Sequence, residues 1–211
     1  MRFSKAKAAT VIGVAALAVS GVSTAQAVSS SSSKHRINFS LQRSTASIAA
    51  NCLAGAGAKV TVVNKGPVEV MTIDAKNLPK NTDFDVFITQ VPNAPFGISW
   101  YQGDLESDAQ GNAHGQFVGR FSIETFAVAP GPAPAPVVHD SGTIVDASTN
   151  PTFAPVHTYH VGVWFNSGVD AGNAGCANVV TPFNGDHTAG PQALSTRQFA
   201  DTSGPLRQLV P

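Results

Sequence analysis

Residues 68–90, VEVMTIDAKNLPKNTDFDVFITQ, constrain the fold more than any other stretch of the chain. Phe84, Val86 and Ile88 share one parity while Asp83, Asp85 and Thr89 hold the other. That two-residue period belongs to a strand with one buried face. Pro79 and Asn81 mark a corner at residues 78–82, because Pro presets φ and Asn tolerates a left-handed backbone. The stretch therefore predicts two strands folded back across a corner.

Ahead of it, Arg2, Lys5 and Lys7 precede an apolar run over residues 8–19 and an Ala25-Gln26-Ala27 site of small residues. This is the order of a secretory signal peptide, expected at residues 1–27. The apolar run is too short to span a bilayer, so no membrane span is expected. Cleavage after Ala27 would remove three of the 13 basic residues and leave 10 against 13 acidic, a formal net charge of −3. Nucleic acid and anionic membrane are poor partners for such a chain.

Two cysteines, Cys52 and Cys176, remain in the exported form. An even count in an oxidising compartment predicts one disulfide, and two cysteines allow one connectivity. A reactive or metal-binding pair is the rival reading, and no second Cys or near His completes a ligand set.

In chain order, residues 28–50 read as a flexible serine-rich leader followed by a candidate first strand, in which Ile37, Phe39 and Leu41 alternate with polar residues. Residues 51–211 read as a single domain. Residues 58–64, AKVTVVN, form a short β-branched strand that turns at Asn64-Lys65-Gly66-Pro67. Residues 98–105 form another, ended by an Asp108-Ala109-Gln110-Gly111 turn, and the return strand carries Phe117, Phe121 and Ile123 on one parity. Residues 129–136, APGPAPAP, make a Pro-rich loop. Residues 158–165 give a last strand, with Tyr159, Val161, Val163 and Phe165 on one side and His160, Gly162 and Trp164 on the other. Ser167 caps a helical turn that Gly175 ends just before Cys176. Asn184-Gly185 suits a turn, and the tail from Asp201 reads as irregular.

The run Asn77-Leu78-Pro79-Lys80-Asn81-Thr82-Asp83-Phe84 resembles the corner of fibronectin type III domains, where Leu, Pro and Thr precede the aromatic that opens the next strand. The Pro sits one place early and Phe84 replaces the usual Tyr, which removes the corner hydroxyl bond. The chain as a whole also resembles uncharacterised secreted β-proteins of actinobacteria. The two likenesses imply a secreted β domain and supply no activity. The expected fold is all-β: an antiparallel β-sandwich, immunoglobulin- or fibronectin-like, with one short helix.

Three linear motifs invite chemistry. Asp140-Ser141-Gly142-Thr143 has the form of an aspartic protease loop, but the second copy that such chemistry needs is missing. His157 and His160 are three apart, a metal spacing on a helix, yet on a strand their rings point to opposite faces. Asp104, Glu106 and Asp108 alternate like calcium ligands, but Ala109 and Gly115 stand where an EF-hand needs Gly and Glu. No Gly-x-Ser-x-Gly elbow surrounds Ser99, Ser141 or Ser167. No catalytic residue, metal ligand or cofactor is assigned.

Trp100, Tyr101 and Trp164 are the candidate ligand-binding residues, since exposed aromatics on a secreted sheet stack against sugar rings or a protein partner. The alternative is that a second sheet, or the spacer at residues 130–136, folds over them. The sequence thus points to a secreted, extracellular, non-catalytic protein with a binding or cell-envelope-associated role, with carbohydrate or an extracellular protein as partner. The opposing expectation is a secreted hydrolase assembled from the regions of His114, His139 and His157.

Overall fold

The computed structural model describes residues 34–122, 126–127, 156–183 and 188–210. All of them fall in one unit, Ser31–Pro211. The alternating segments form β1 (Arg36–Arg43), β2 (Gly57–Asn64), β3 (Glu69–Lys76), β4 (Asp83–Thr89), β5 (Ser99–Glu106) and β6 (Ala113–Gly119). A two-residue pair, β7 (Phe126–Ala127) and β8 (Val156–His157), stands apart from β9 (His160–Phe165) and β10 (Gln192–Ser195).

Eight strands make one antiparallel sheet in the order β5-β4-β9-β10-β1-β2-β3-β6. Its two end strands are consecutive in sequence and touch at Ser107 and Ala113, so the sheet curls into a nearly closed barrel. The antiparallel all-β class holds, whereas the two face-to-face sheets of a sandwich are replaced by this single curled one. Parity alone could not separate them, because a sandwich core and a barrel interior both bury every second residue. Strands β4, β5 and β6 form a meander with β3 beside β6 and β9 beside β4, two overlapping Greek keys.

The organising stretch resolves into β3 and β4, but these strands do not pair. β3 lies between β2 and β6, and β4 lies between β5 and β9, so the corner crosses from one side of the barrel to the other. Asn77 (φ 58°) and Asn81 (φ 48°) take the left-handed conformation there. The corner is held to the β5–β6 turn by Leu78 N–H to Gly111 O (3.0 Å) and Asn81 N–H to Asp108 O (3.1 Å). Gly111, at φ 79°, is required, because a Cβ would sit 2.4 Å from the Leu78 carbonyl oxygen. Asp108 closes the turn by accepting from the backbone N–H groups of Gln110 and Asn112, both at 2.8 Å.

The inward parity fills the barrel. Val60, Val62, Met71, Ile73, Phe84, Val86, Ile88, Val161, Val163 and Phe165 are all at most 1% exposed, each worth about 1.5–3 kcal/mol of burial. Phe84 packs against Phe165 of β9 with ring centroids 5.0 Å apart and planes tilted by 39°. The tail is ordered where irregular chain was expected: 3₁₀ turns at Asp201–Ser203 and Pro205–Gln208 bury Leu206 and Leu209. They fill the seam below the short β1–β10 contact at Gln42–Ser195 and Arg43–Leu194.

In place of one short helix there are two, α1 (Thr45–Ala49) and α2 (Gly168–Asn173). Both sit past the same end of the barrel, one after β1 and one after β9. Ser44 caps α1 and Ser167 caps α2 through the N–H groups of Ser47 (3.0 Å) and Asp170 (3.1 Å). A disulfide joins Cys52, just beyond α1, to Cys176, just beyond α2, across 124 residues. The expected pairing is therefore formed. Among the described residues no helix is long and apolar enough to cross a membrane.

Candidate functional site

The three candidate aromatics do not share one surface. Trp100 lies opposite Ile88 in the β4–β5 ladder and packs, half-buried, against the core. Tyr101 faces outward, 49% exposed, with its ring 5.8 Å from Phe87. Trp164 is also outward, yet it is fully buried, because Phe96 and Phe183 fold over it at 4.9 and 5.2 Å. Phe183 stacks on Phe87 at 4.1 Å. A second apolar cluster thus sits outside the barrel, roofed by the Pro92–Pro95 loop and the segment ending at Phe183.

The missing side chain of Gly162 makes that cluster possible. A Cβ there would stand 2.3 Å from Trp164 Cζ3 and 2.7 Å from Gln192 Nε2. Gly162→Ala is expected to cost about 2 kcal/mol, the usual penalty of overpacking, measured as a lower urea midpoint with an altered tryptophan emission.

The described histidines form no shared site. His114 is exposed on β6, its Nδ1 2.7 Å from Asp74 Oδ1. His157 stacks on Tyr159 at 5.5 Å, and buried His160 meets Thr196 Oγ1 at 2.9 Å and the Asp201 carbonyl at 3.2 Å. His139 and the 140–143 motif lie outside the described residues. Among the described residues no three His, Cys, Asp or Glu side chains are placed to hold a metal ion. Asp108 serves its turn: the Asn112 N–H foremost, then those of Gln110 and Gly111, hold its carboxyl below the ordinary value.

A site is instead built on the outer wall of β1, β2 and β3. A hollow of about 810 Å³ opens there, bordered by Arg43, Lys59, Lys76 and Arg197 with Ser40, Gln42 and Asn77. The volume lies in the range of small-ligand clefts. Its far wall is the loop after α1, tied to β3 by Asn77 Nδ2 donating to Gly55 O at 2.9 Å.

Two arginines at its border are held in place by main-chain carbonyls. Arg43 donates from Nη1 to Cys52 O at 2.9 Å, and Arg197 donates from Nε to Arg43 O at 2.7 Å. The disulfide fixes the first of these acceptors. The chain matches no protein family model, no curated protein and no solved structure. The geometry of this hollow therefore carries the functional reading.

Sequence reasoning passed over these residues because it sought chemistry in linear motifs. The signal was the charge on the polar parity of each strand: Arg36, Lys59 and Lys76 fall there on β1, β2 and β3. That signal becomes a site only when the three strands are known to be neighbours.

Proposed function

We propose that this protein is an exported, non-catalytic binding domain of the cell envelope, which holds a glycan ligand in the hollow on β1–β3. The observation that carries the reading is the pair of backbone-anchored arginines, Arg43 and Arg197, beside an open hollow of about 810 Å³. Side chains held before a ligand arrives lose less entropy on binding it. The Cys52–Cys176 bridge is compatible with an oxidising, extracellular setting, and the leader at residues 1–27 supplies the expected route out of the cell. Carbohydrate stays the favoured partner class, but the contact moves from Trp164, which is covered, to the hollow.

The test is co-sedimentation with insoluble cell-wall glycan. Ser40, exposed on the outer parity of β1, lines the hollow, so Ser40→Trp fills it whatever the charge of the ligand. Wild type is expected in the pellet and Ser40→Trp in the supernatant. Equal pelleting of the two would end the assignment to this hollow.

A further inference from the structure

We infer that the ligand is an extended polyanion, a glycan chain bearing carboxylate or phosphate groups, lying along β1–β3; this deepens the proposed role of the hollow and rests on it. A second hollow of about 340 Å³ adjoins the first, bordered by Arg36 and Lys65, and Asp74 borders both. Together they place six cations, Arg36, Arg43, Lys59, Lys65, Lys76 and Arg197, around a single acid. That acid, Asp74, is engaged by His114. None of the six cations forms an ion pair with a described residue. A wall of eight-residue strands runs about 25 Å at roughly 3.3 Å per residue, a length that suits a chain of several units rather than one.

The rest of the barrel sharpens the contrast. On the β4–β5 pair, Asp83 faces Glu106 and Asp85 faces Asp104 in direct cross-strand register, and Glu106 marks the edge of the basic wall, where it borders a third hollow of about 520 Å³ with Asp74 and Lys76. The exposed Asp83 and Glu106 make the β4–β5 pair the acidic part of the barrel, so an anion is drawn to β1–β3 instead. A balanced overall charge, 13 basic against 13 acidic residues, thus coexists with a locally basic wall. Guanidinium groups match carboxylate and phosphate oxygens through paired N–H bonds. The outward positions of β1, β2 and β3 carry no aromatic ring, so the platform on which single-stranded nucleic acid stacks its bases is missing. A glycan or polyol-phosphate chain fits better.

Calorimetric titration of the full chain decides it, with oligogalacturonate, its neutral methyl ester, a glycerol-phosphate polymer and a DNA duplex as probes. Binding of oligogalacturonate, the phosphate polymer or both is expected, with the neutral ester silent; the stronger of the two names the anionic group. Lys59→Glu/Lys76→Glu should weaken binding roughly tenfold or more, with Lys59→Gln/Lys76→Gln falling in between as a check on folding. Screening should weaken wild-type binding steeply towards about 0.5 M NaCl. An ester bound as tightly as the acid and still lost in Ser40→Trp would overturn the polyanion while leaving the hollow as a glycan site. Tighter binding of the duplex would overturn the glycan class. Silence of every probe, with wild type also absent from the cell-wall pellet, would remove both readings.

Discussion

Replacing Cys52 and Cys176 together by serine is expected to lower stability by roughly 5 kcal/mol and the melting temperature by roughly 10–20 °C. The first figure is the chain entropy released when a loop of 124 residues is no longer closed in the unfolded state. Local structure cannot make up the loss. Helices of five and six residues, α1 and α2, are far below the length that is stable alone, and each is seated by its cap, its backbone contacts and the bridge. The site feels the same change, because the carbonyl that holds Arg43 belongs to Cys52. Cell-wall retention should therefore fall in the double variant even at temperatures where it stays folded. Urea unfolding of the oxidised protein, the reduced protein and the double variant is the measurement. A difference below about 1 kcal/mol would mean that the unfolded chain is already constrained without the bridge.

The parts of this fold that could be read from sequence are those decided by neighbours along the chain. The strands β4 and β9, the Asp108–Gly111 turn, the Ser167 cap and the cysteine pair each rest on a few adjacent side chains, although both faces of β4 and β9 are buried where one was expected. What stayed hidden is which strand lies beside which. β1 meets β10 across about 150 residues through two register pairs, and nothing within QALS announces a strand that closes a barrel. Trp164 has outward parity, and the cover that the sequence offers it is a second sheet or the 130–136 spacer; Phe96 and Phe183, which bury it, come instead from beside the Pro92–Pro95 loop and from a segment without alternation of its own. The basic wall was hidden in the same way. Its charges are spread over three strands and a loop near Arg197, and only the register brings them to one face.

Acidification should destabilise the protein before its carboxylates begin to titrate, and His160 is the cause. Its ring is fully buried at the start of β9, where Nε2–H donates to the carbonyl of Asp201 and Nδ1 is left to accept from Thr196 Oγ1. Burial pushes its pKa from 6.5 down to about 4, against the smaller upward pull of the carbonyls of Asp201 and Ala200. Between those two values the unfolded chain binds a proton that the folded chain refuses, so stability falls as the pH falls. The contribution is complete above pH 6.5 and is lost on the way to the folded value: about 2 kcal/mol by pH 5 and about 3 kcal/mol by pH 4. Protonation also leaves Nδ1 unable to accept from Thr196, while the Nε2–H bond to the Asp201 carbonyl is kept. His160→Gln keeps a donor and an acceptor but has no proton to gain. Its stability at pH 7 should drop modestly, and its urea midpoint should stay level from pH 7 to pH 5 while that of wild type declines. A variant that declines in parallel with wild type would assign the acid sensitivity to some other group.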